Sequence, residues 1–243
     1  MDALKFQQCP ICKNLHPEFM IMVDSIADVN RILCKSCDSI YFDRTPPLPP
    51  KYDMAYNKFF FRPGDIRKAG IMAAKLAELA LDKFKRPNIL EAGAGNGLTV
   101  PELRSMGLNA LGLDLDPPLA VVLMNEYRIP IVTARFEEFN PPGLYNLIYS
   151  SHVIEHTQSP WAFMKKAFDL LEPGGIFFLD TPDTFYHDKE NKRWHHFETR
   201  NPFEHCCLLG QVGIRYLSQD IGFSSFAIQR HPEFMSQQAI LIK

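Results

Sequence analysis

Three groups of residues in this chain are spaced for chemistry. The first is Asn88-Ile89-Leu90-Glu91-Ala92-Gly93-Ala94-Gly95-Asn96-Gly97, an apolar run that ends in a carboxylate and then places glycine at every second position. Such a run lets an α/β domain turn from strand to helix while its backbone passes close to a nucleotide-like ligand. A dinucleotide fingerprint needs Gly-x-Gly-x-x-Gly; counted from Gly93, its last position is Leu98, so that reading fails. The second group is Cys9-x-x-Cys12 and Cys34-x-x-Cys37, two pairs separated by 21 residues. Two such knuckles present four thiolates, a complete tetrahedral shell for zinc. A closed shell leaves no open position, so the expected zinc is structural. The gap is slightly longer than in common zinc ribbons, which a longer hairpin would absorb. The third group is His152, Glu155 and His156, with Tyr186, His187, Trp194, His195, His196 and His205 further on. Imidazole titrates near the working pH and is the natural general base.

The elements that must carry these groups follow the first motif along the chain. Asn109–Asp114 reads as a second strand, Ile129–Thr133 as a third and Leu144–Ser150 as a fourth. Ser151-His152-Val153-Ile154-Glu155-His156 follows, then a helix, then Leu170-Leu171-Glu172-Pro173-Gly174-Gly175 as the turn into a fifth strand, Ile176–Asp180. Ala69–Leu81 reads as the helix before the first strand. Phe223–Gln229 and Ala239–Ile242 are joined so closely that they must be antiparallel. Alternation of strand and helix is the signature of a doubly wound sheet.

In its Glu-x-Gly-x-Gly-x-Gly loop, its carboxylate after the second strand, its Glu155-His156 pair and its Leu-x-Pro-Gly-Gly turn, the chain from about residue 85 onward resembles the class I S-adenosylmethionine (SAM) methyltransferases. The resemblance implies an α/β fold with a Rossmann-like seven-stranded sheet ending in an antiparallel hairpin, here with a small N-terminal zinc-ribbon-like module. It implies that the loop of Gly93, Gly95 and Gly97 runs under the amino-acid end of SAM, with Glu91 near the amino group. Asp114 would accept the ribose hydroxyls, Asp116 being the alternative. Ser150, at the end of the fourth strand, joins the cofactor set. Relatives often carry Gly-Asp-Ala-Glu after the third strand; here Ala134-Arg135-Phe136-Glu137 stands there. Arg135 cannot accept a hydrogen bond from adenine, so that role passes to the Phe136 backbone and Glu137.

The organisation expected is a zinc-binding module at 1–44, a proline-rich linker and first helices at 45–84, and the methyltransferase domain at 85–243 with a lid insertion at 181–210. The aromatic run Tyr52, Tyr56, Phe59, Phe60 and Phe61 either lies over the ligand or packs the first helix on the sheet. Cys206 and Cys207, adjacent in sequence, read as plain core thiols. The net charge of −2 gives no overall basic footprint for nucleic acid. With no early apolar segment and no run of about 18 apolar residues, the expectation is a cytoplasmic protein that does not engage a membrane.

Methyl transfer from a sulfonium needs an acceptor held in line and often a base. His156 is the first choice, with His152 and His196 next. The i, i+3, i+4 spacing of His152, Glu155 and His156 also resembles the Glu-x-x-Glu-His cation site of ubiquinone-biosynthesis and small-RNA methyltransferases, with His152 in place of the first carboxylate. The N-terminal cysteines and the Glu-His loop together resemble the zinc-module sugar C-methyltransferases. The expected substrate is therefore a small polar metabolite such as a nucleotide-linked sugar. Two alternatives stay open: an RNA or other macromolecule methyltransferase, for which Lys189, Lys192, Arg193 and Arg200 would be the contacts, and a non-catalytic SAM-binding module.

Overall fold

The structure is a computed structural model that describes residues 8–14, 19–23, 30–42, 63–115, 123–125, 128–187, 205–232 and 235–243. In chain order the elements are β1 (Phe19–Val23), β2 (Asn30–Cys34), β3 (Ser39–Phe42), α1 (Pro63–Lys83), β4 (Asn88–Ala92), α2 (Thr99–Ser105), β5 (Asn109–Asp114), β6 (Ile131–Thr133), β7 (Tyr145–Ser151), α3 (Pro160–Leu170), β8 (Leu171–Pro182), β9 (Cys207–Leu208), α4 (Gln211–Ile221), β10 (Ser225–His231) and β11 (Ser236–Ile242). They form a seven-stranded sheet of order β10-β11-β8-β7-β4-β5-β6 and a four-stranded sheet of order β1-β2-β3-β9.

The described residues fall into two compact units that interleave along the chain. One is drawn from Lys51–Ser151, Lys166–Leu179 and Ile240–Lys243; the other from Met1–Pro50, His152–Lys165 and Asp180–Ala239. In the first unit β4 pairs in parallel with both β5 and β7, and β5 with β6. A strand with parallel partners on both sides is covered on both faces and reads as a continuous apolar run; Ile89, Leu90 and Ala92 are accordingly buried. Ala69, Ala73, Leu76, Ala77 and Ala80 are the buried stripe of α1 at helical spacing. The helix starts earlier than the apolar pattern predicts. Pro63 and Asp65 supply its first turn, where proline's missing N–H is no loss and a carboxylate favours the helix dipole.

The Leu-x-Pro-Gly-Gly segment differs from its expected place. It lies within β8 rather than before it. Gly174 N–H donates to Lys243 O at 3.1 Å and Lys243 N–H to Gly175 O at 3.0 Å, so the end of the chain pins the segment into the sheet.

The second unit holds the cysteine segment. β1, β2 and β3 pair antiparallel, and β3 is extended by β9 through Ile40↔Leu208 and Tyr41↔Cys207. β1 and β3 fall on Phe19–Val23 and Ile40–Phe42, which read as strands from the sequence; β2 and β9 do not. Cys207 and Leu208, within the expected lid, therefore belong to the sheet of the cysteine segment. His196 and the aromatic run at 52–61 lie outside the described residues, as does Asp116. Among the described residues no helix is long and apolar enough to cross a membrane.

Gly112 sits where β5 meets β6 and the glycine loop. A Cβ there would stand 2.6 Å from Ile131 Cγ1 and 3.1 Å from Ala94 Cβ. Overpacking of this kind costs about 1–3 kcal/mol. Gly112→Val is expected to lower the denaturant midpoint by an equivalent amount; an unchanged midpoint would mean that the β5–β6 contact yields freely.

Candidate functional site

Glycine is required in the loop after β4 for two different reasons. Gly93, Gly95 and Gly97 have φ of 76°, 52° and 66°, the left-handed region that side chains disfavour. Gly97 is also packed, because a Cβ would meet Leu123 Cδ1 at 3.2 Å, whereas Gly95 has nothing within 4 Å. The open side of the loop is thus at Gly95. Gly93 N–H and Ala94 N–H both donate to Leu113 O, at 2.8 and 2.9 Å. Gly95 N–H donates to Asp114 Oδ2 at 2.8 Å. The expected ribose carboxylate is therefore also the group that sets the loop.

Near the carboxyl ends of the adjoining strands β4 and β7, two buried polar atoms have no protein partner among the described residues: Glu91 Oε2 and Ser150 Oγ. In register, Glu91 stands opposite Gly112 on one side and Tyr149 on the other. Burial pushes the Glu91 carboxyl up to about 8, the hydrogen bond with Thr99 works against this, and the Asp114 carboxylate adds to the rise. Buried polar groups are ordinarily paired. A carboxyl and a hydroxyl left open at the carboxyl ends of neighbouring parallel strands fit a ligand bearing an ammonium and hydroxyls. The first is the natural partner of Glu91 and the second of Asp114 and Ser150. Phe136 is buried in the short 3₁₀ turn after β6 and Glu137 is half-buried beside it.

The second unit brings together the histidine loop. His152 has φ 53°, and its N–H donates to Asp180 O at 2.9 Å. Only Ile154–His156 is helical, as one 3₁₀ turn. The expected single helical face of His152, Glu155 and His156 is thus not formed. Instead the half-exposed His152 pairs through Nδ1 with Glu155 Oε1 at 3.2 Å. Thr181 Oγ1 donates to Glu155 Oε2 at 3.1 Å. Burial works to raise the Glu155 carboxyl, but the hydrogen bond and charge of His152 and the nearby His156 and His205 hold it at about 2. The contacts with His152 and Thr181 favour the ionised form of Glu155.

The partner that sequence reasoning missed is His205. Its ring packs edge-on against His156 with centroids 4.6 Å apart. Ligand atoms of Glu155, His156 and His205 all lie within 4.8 Å of one another. The only signal for His205 was its membership of the histidine-rich segment.

The four cysteines converge as expected. Their sulfurs lie within 4.8 Å of one another, with Cys9–Cys37 at 3.8 Å and Cys12–Cys34 at 3.9 Å. Four sulfurs bound at ~2.3 Å to a central ion are roughly 3.8 Å apart, so the cage has the right size for zinc. Lys13 and Asp38, at φ 54° and 53°, close the two knuckles. By themselves the thiols cannot all ionise: the hydrogen bond with Cys37 pulls Cys9 down to about 5, and the same contact drives Cys37 far up. A divalent cation removes that conflict. Cys206 and Cys207 are buried, and their thiols donate to His156 O and Ile154 O at 3.5 and 3.7 Å.

A family profile described as "Methyltransferase domain" matches residues 65–226, about two thirds of the chain. The chain belongs to this family of methyltransferase domains. It is 25% identical over 105 residues to the ubiquinone biosynthesis O-methyltransferase of Colwellia psychrerythraea, covering 40% of this chain and 43% of that protein. Over 102 residues it is 28% identical to the enzyme of the same name from Xanthomonas campestris pv. campestris, covering 38% and 42%. The chain thus spans less than half the length of these relatives. In fold it is similar to a SAM-dependent methyltransferase from Archaeoglobus fulgidus, with TM-score 0.55, 12% identity, and coverage of 79% of this chain and 100% of that one. It is likewise similar to the magnesium protoporphyrin IX methyltransferase of Synechocystis PCC 6803 solved with bound SAM, with TM-score 0.53, 16% identity, and coverage of 80% and 86%. The fold is that of the class I methyltransferases.

Because the folded state holds Glu91 protonated more tightly than the unfolded chain does, its contribution to stability is full below the ordinary carboxylate value. It is lost as pH rises through about 8. Unfolding midpoints of the ligand-free protein are expected to fall across this window, and Glu91→Gln to flatten the fall. Identical pH profiles would show that Glu91 ionises normally in the fold.

Proposed function

We propose that the chain is a SAM-dependent methyltransferase that acts on a small polar acceptor of the nucleotide-linked sugar kind. The observation that carries the reading is the glycine loop with its open side at Gly95 and the unpartnered Glu91 Oε2 and Ser150 Oγ near the carboxyl ends of the adjoining strands. When bound, SAM supplies an electrophilic methyl on sulfonium. Glu91 would take the amino group, Asp114 the ribose hydroxyls, and Gly93, Gly95 and Gly97 the backbone approach. Ser150, Phe136 and Glu137 complete the cofactor set. On the acceptor side His156 is the proposed base, with His152 and His196 as alternates. His152 is held by its pairing with Glu155. Cys9, Cys12, Cys34 and Cys37 would hold a structural zinc.

A second reading adds a divalent cation on the acceptor side. Its support is the convergence of Glu155, His156 and His205. One carboxylate and two imidazoles suit zinc, manganese or iron better than magnesium.

The test is methyl transfer from labelled SAM into cell extract, with products separated by size. Label in small molecules is expected; label in RNA or protein would move the acceptor to a macromolecule, and no label would leave a binding module. With an acceptor in hand, His156→Ala should lower turnover at least about a hundredfold while SAM affinity stays within a few-fold. A chelator that abolishes wild-type activity while the four cysteines keep their zinc, with activity restored by added metal, selects the cation reading. Full activity of the His156, His152 and His196 alanine variants would remove histidine from the mechanism.

A further inference from the structure

The four-cysteine segment is tied to the histidine cluster by a continuous set of backbone contacts. At the second knuckle, Cys37 O accepts Gly213 N–H at 3.0 Å and the Ser39 hydroxyl at 3.2 Å. Ser39 Oγ in turn accepts Gly210 N–H at 3.1 Å. Both glycines allow a close approach: a Cβ on Gly210 would stand 2.4 Å from Asp38 O, and one on Gly213 would stand 2.2 Å from Ser39 Oγ and 3.2 Å from Ile11 Cγ2. Two residues beyond the knuckle, β3 begins, and its partner is β9.

β9 is only two residues long, Cys207–Leu208. A strand so short has no stability of its own; it is held by β3 on one side and by the loop of Glu155 on the other, and just after it Leu209 O accepts Gln237 Nε2 at 2.6 Å. Cys206 N–H donates to Glu155 O at 2.7 Å, and the Cys206 and Cys207 thiols donate to His156 O and Ile154 O. His205 stands two residues before this strand. The first knuckle has its own tether: Lys13 Nζ donates to Asp220 Oδ2 at 2.7 Å, and Trp161 Nε1 donates to the same oxygen at 2.6 Å.

We propose that the four-cysteine segment is the positioning scaffold for His205, so that cation loading of the cysteine cage is a condition for assembling the Glu155–His156–His205 constellation. This rests on the reading of that constellation as the acting group. The cage closes Cys37 onto Cys9; that fixes the Cys37–Ser39 backbone, which receives α4 through Gly210 and Gly213 and starts β3. β3 fixes β9, and β9 brings His205 to His156. His205 is thereby a positioning or ligating partner of His156, reached from a part of the chain that sequence spacing alone would call an appendage.

The experiment uses the full chain in three forms: wild type with zinc, wild type stripped of zinc, and Gly213→Val, which keeps every cysteine and histidine. The readouts are metal content, nuclear Overhauser contacts between the His156 and His205 rings, SAM affinity and turnover. Stripping is expected to remove the ring contact and to lower turnover at least about tenfold, since displacements near 1 Å can cost about a hundredfold. SAM affinity should stay within a few-fold, and zinc should restore both losses. Gly213→Val is expected to keep its zinc and lose the ring contact. If that variant does not fold, Ser39→Ala, which removes two of the bonds without adding bulk, is expected to weaken the ring contact in the same way. A ring contact and turnover that survive stripping overturn the proposal. Full turnover in both His156→Ala and His205→Ala defeats the reading of the histidines instead. The ring contact then decides the scaffold on its own, and its survival without zinc overturns it.

Discussion

The Gly95 amide donates to the Asp114 carboxylate at 2.8 Å, and the geometry of the candidate cofactor site depends on that bond. β4 and β5 are parallel neighbours, so the residues after them leave the same edge of the sheet. A loop at that edge carries backbone N–H groups that must find acceptors. Leu113 O takes two of them and Asp114 takes the one at Gly95. Glycine adopts the left-handed conformations that result without the steric cost a side chain would add. With the loop set in this way, Glu91 is buried beneath it as a second carboxylate. The proximity of the two is part of what raises Glu91.

The other unit obeys a different constraint. A buried anion, Glu155, is acceptable there because its oxygens meet His152 and Thr181. Around it gather two imidazoles and two thiols that donate to the carbonyls of the same loop. The four-cysteine cage lies in this same unit. The cysteine cage and the histidine loop thus belong to one unit, and the glycine loop with its parallel strands to the other.

What was legible in the sequence follows from how strongly each element signals itself. β4, β5 and β7 are near-continuous apolar runs bounded by polar residues, so their limits were close to those found. The spacing of the four cysteines alone specifies a cage. β2 begins with Asn30 and Arg31 and ends in a cysteine, so it carries no apolar alternation to mark it. β9 is too short for any period to exist. His205 meets His156 only because β3 recruits that short strand, and no local pattern encodes such a pairing. The bond from Gly95 to Asp114 was hidden for a related reason: a side chain's choice of a backbone partner across a sheet leaves no trace in spacing.

The central claim is that the glycine loop binds SAM through its open side at Gly95. Calorimetric titration of the full chain with SAM tests it most directly, set against Gly95→Val, which forces a branched side chain into a left-handed position at the ligand's approach. The account predicts binding by the wild type and its loss in the variant, with the fold retained. Equal SAM affinity in both proteins, or binding of NAD in place of SAM, would contradict it.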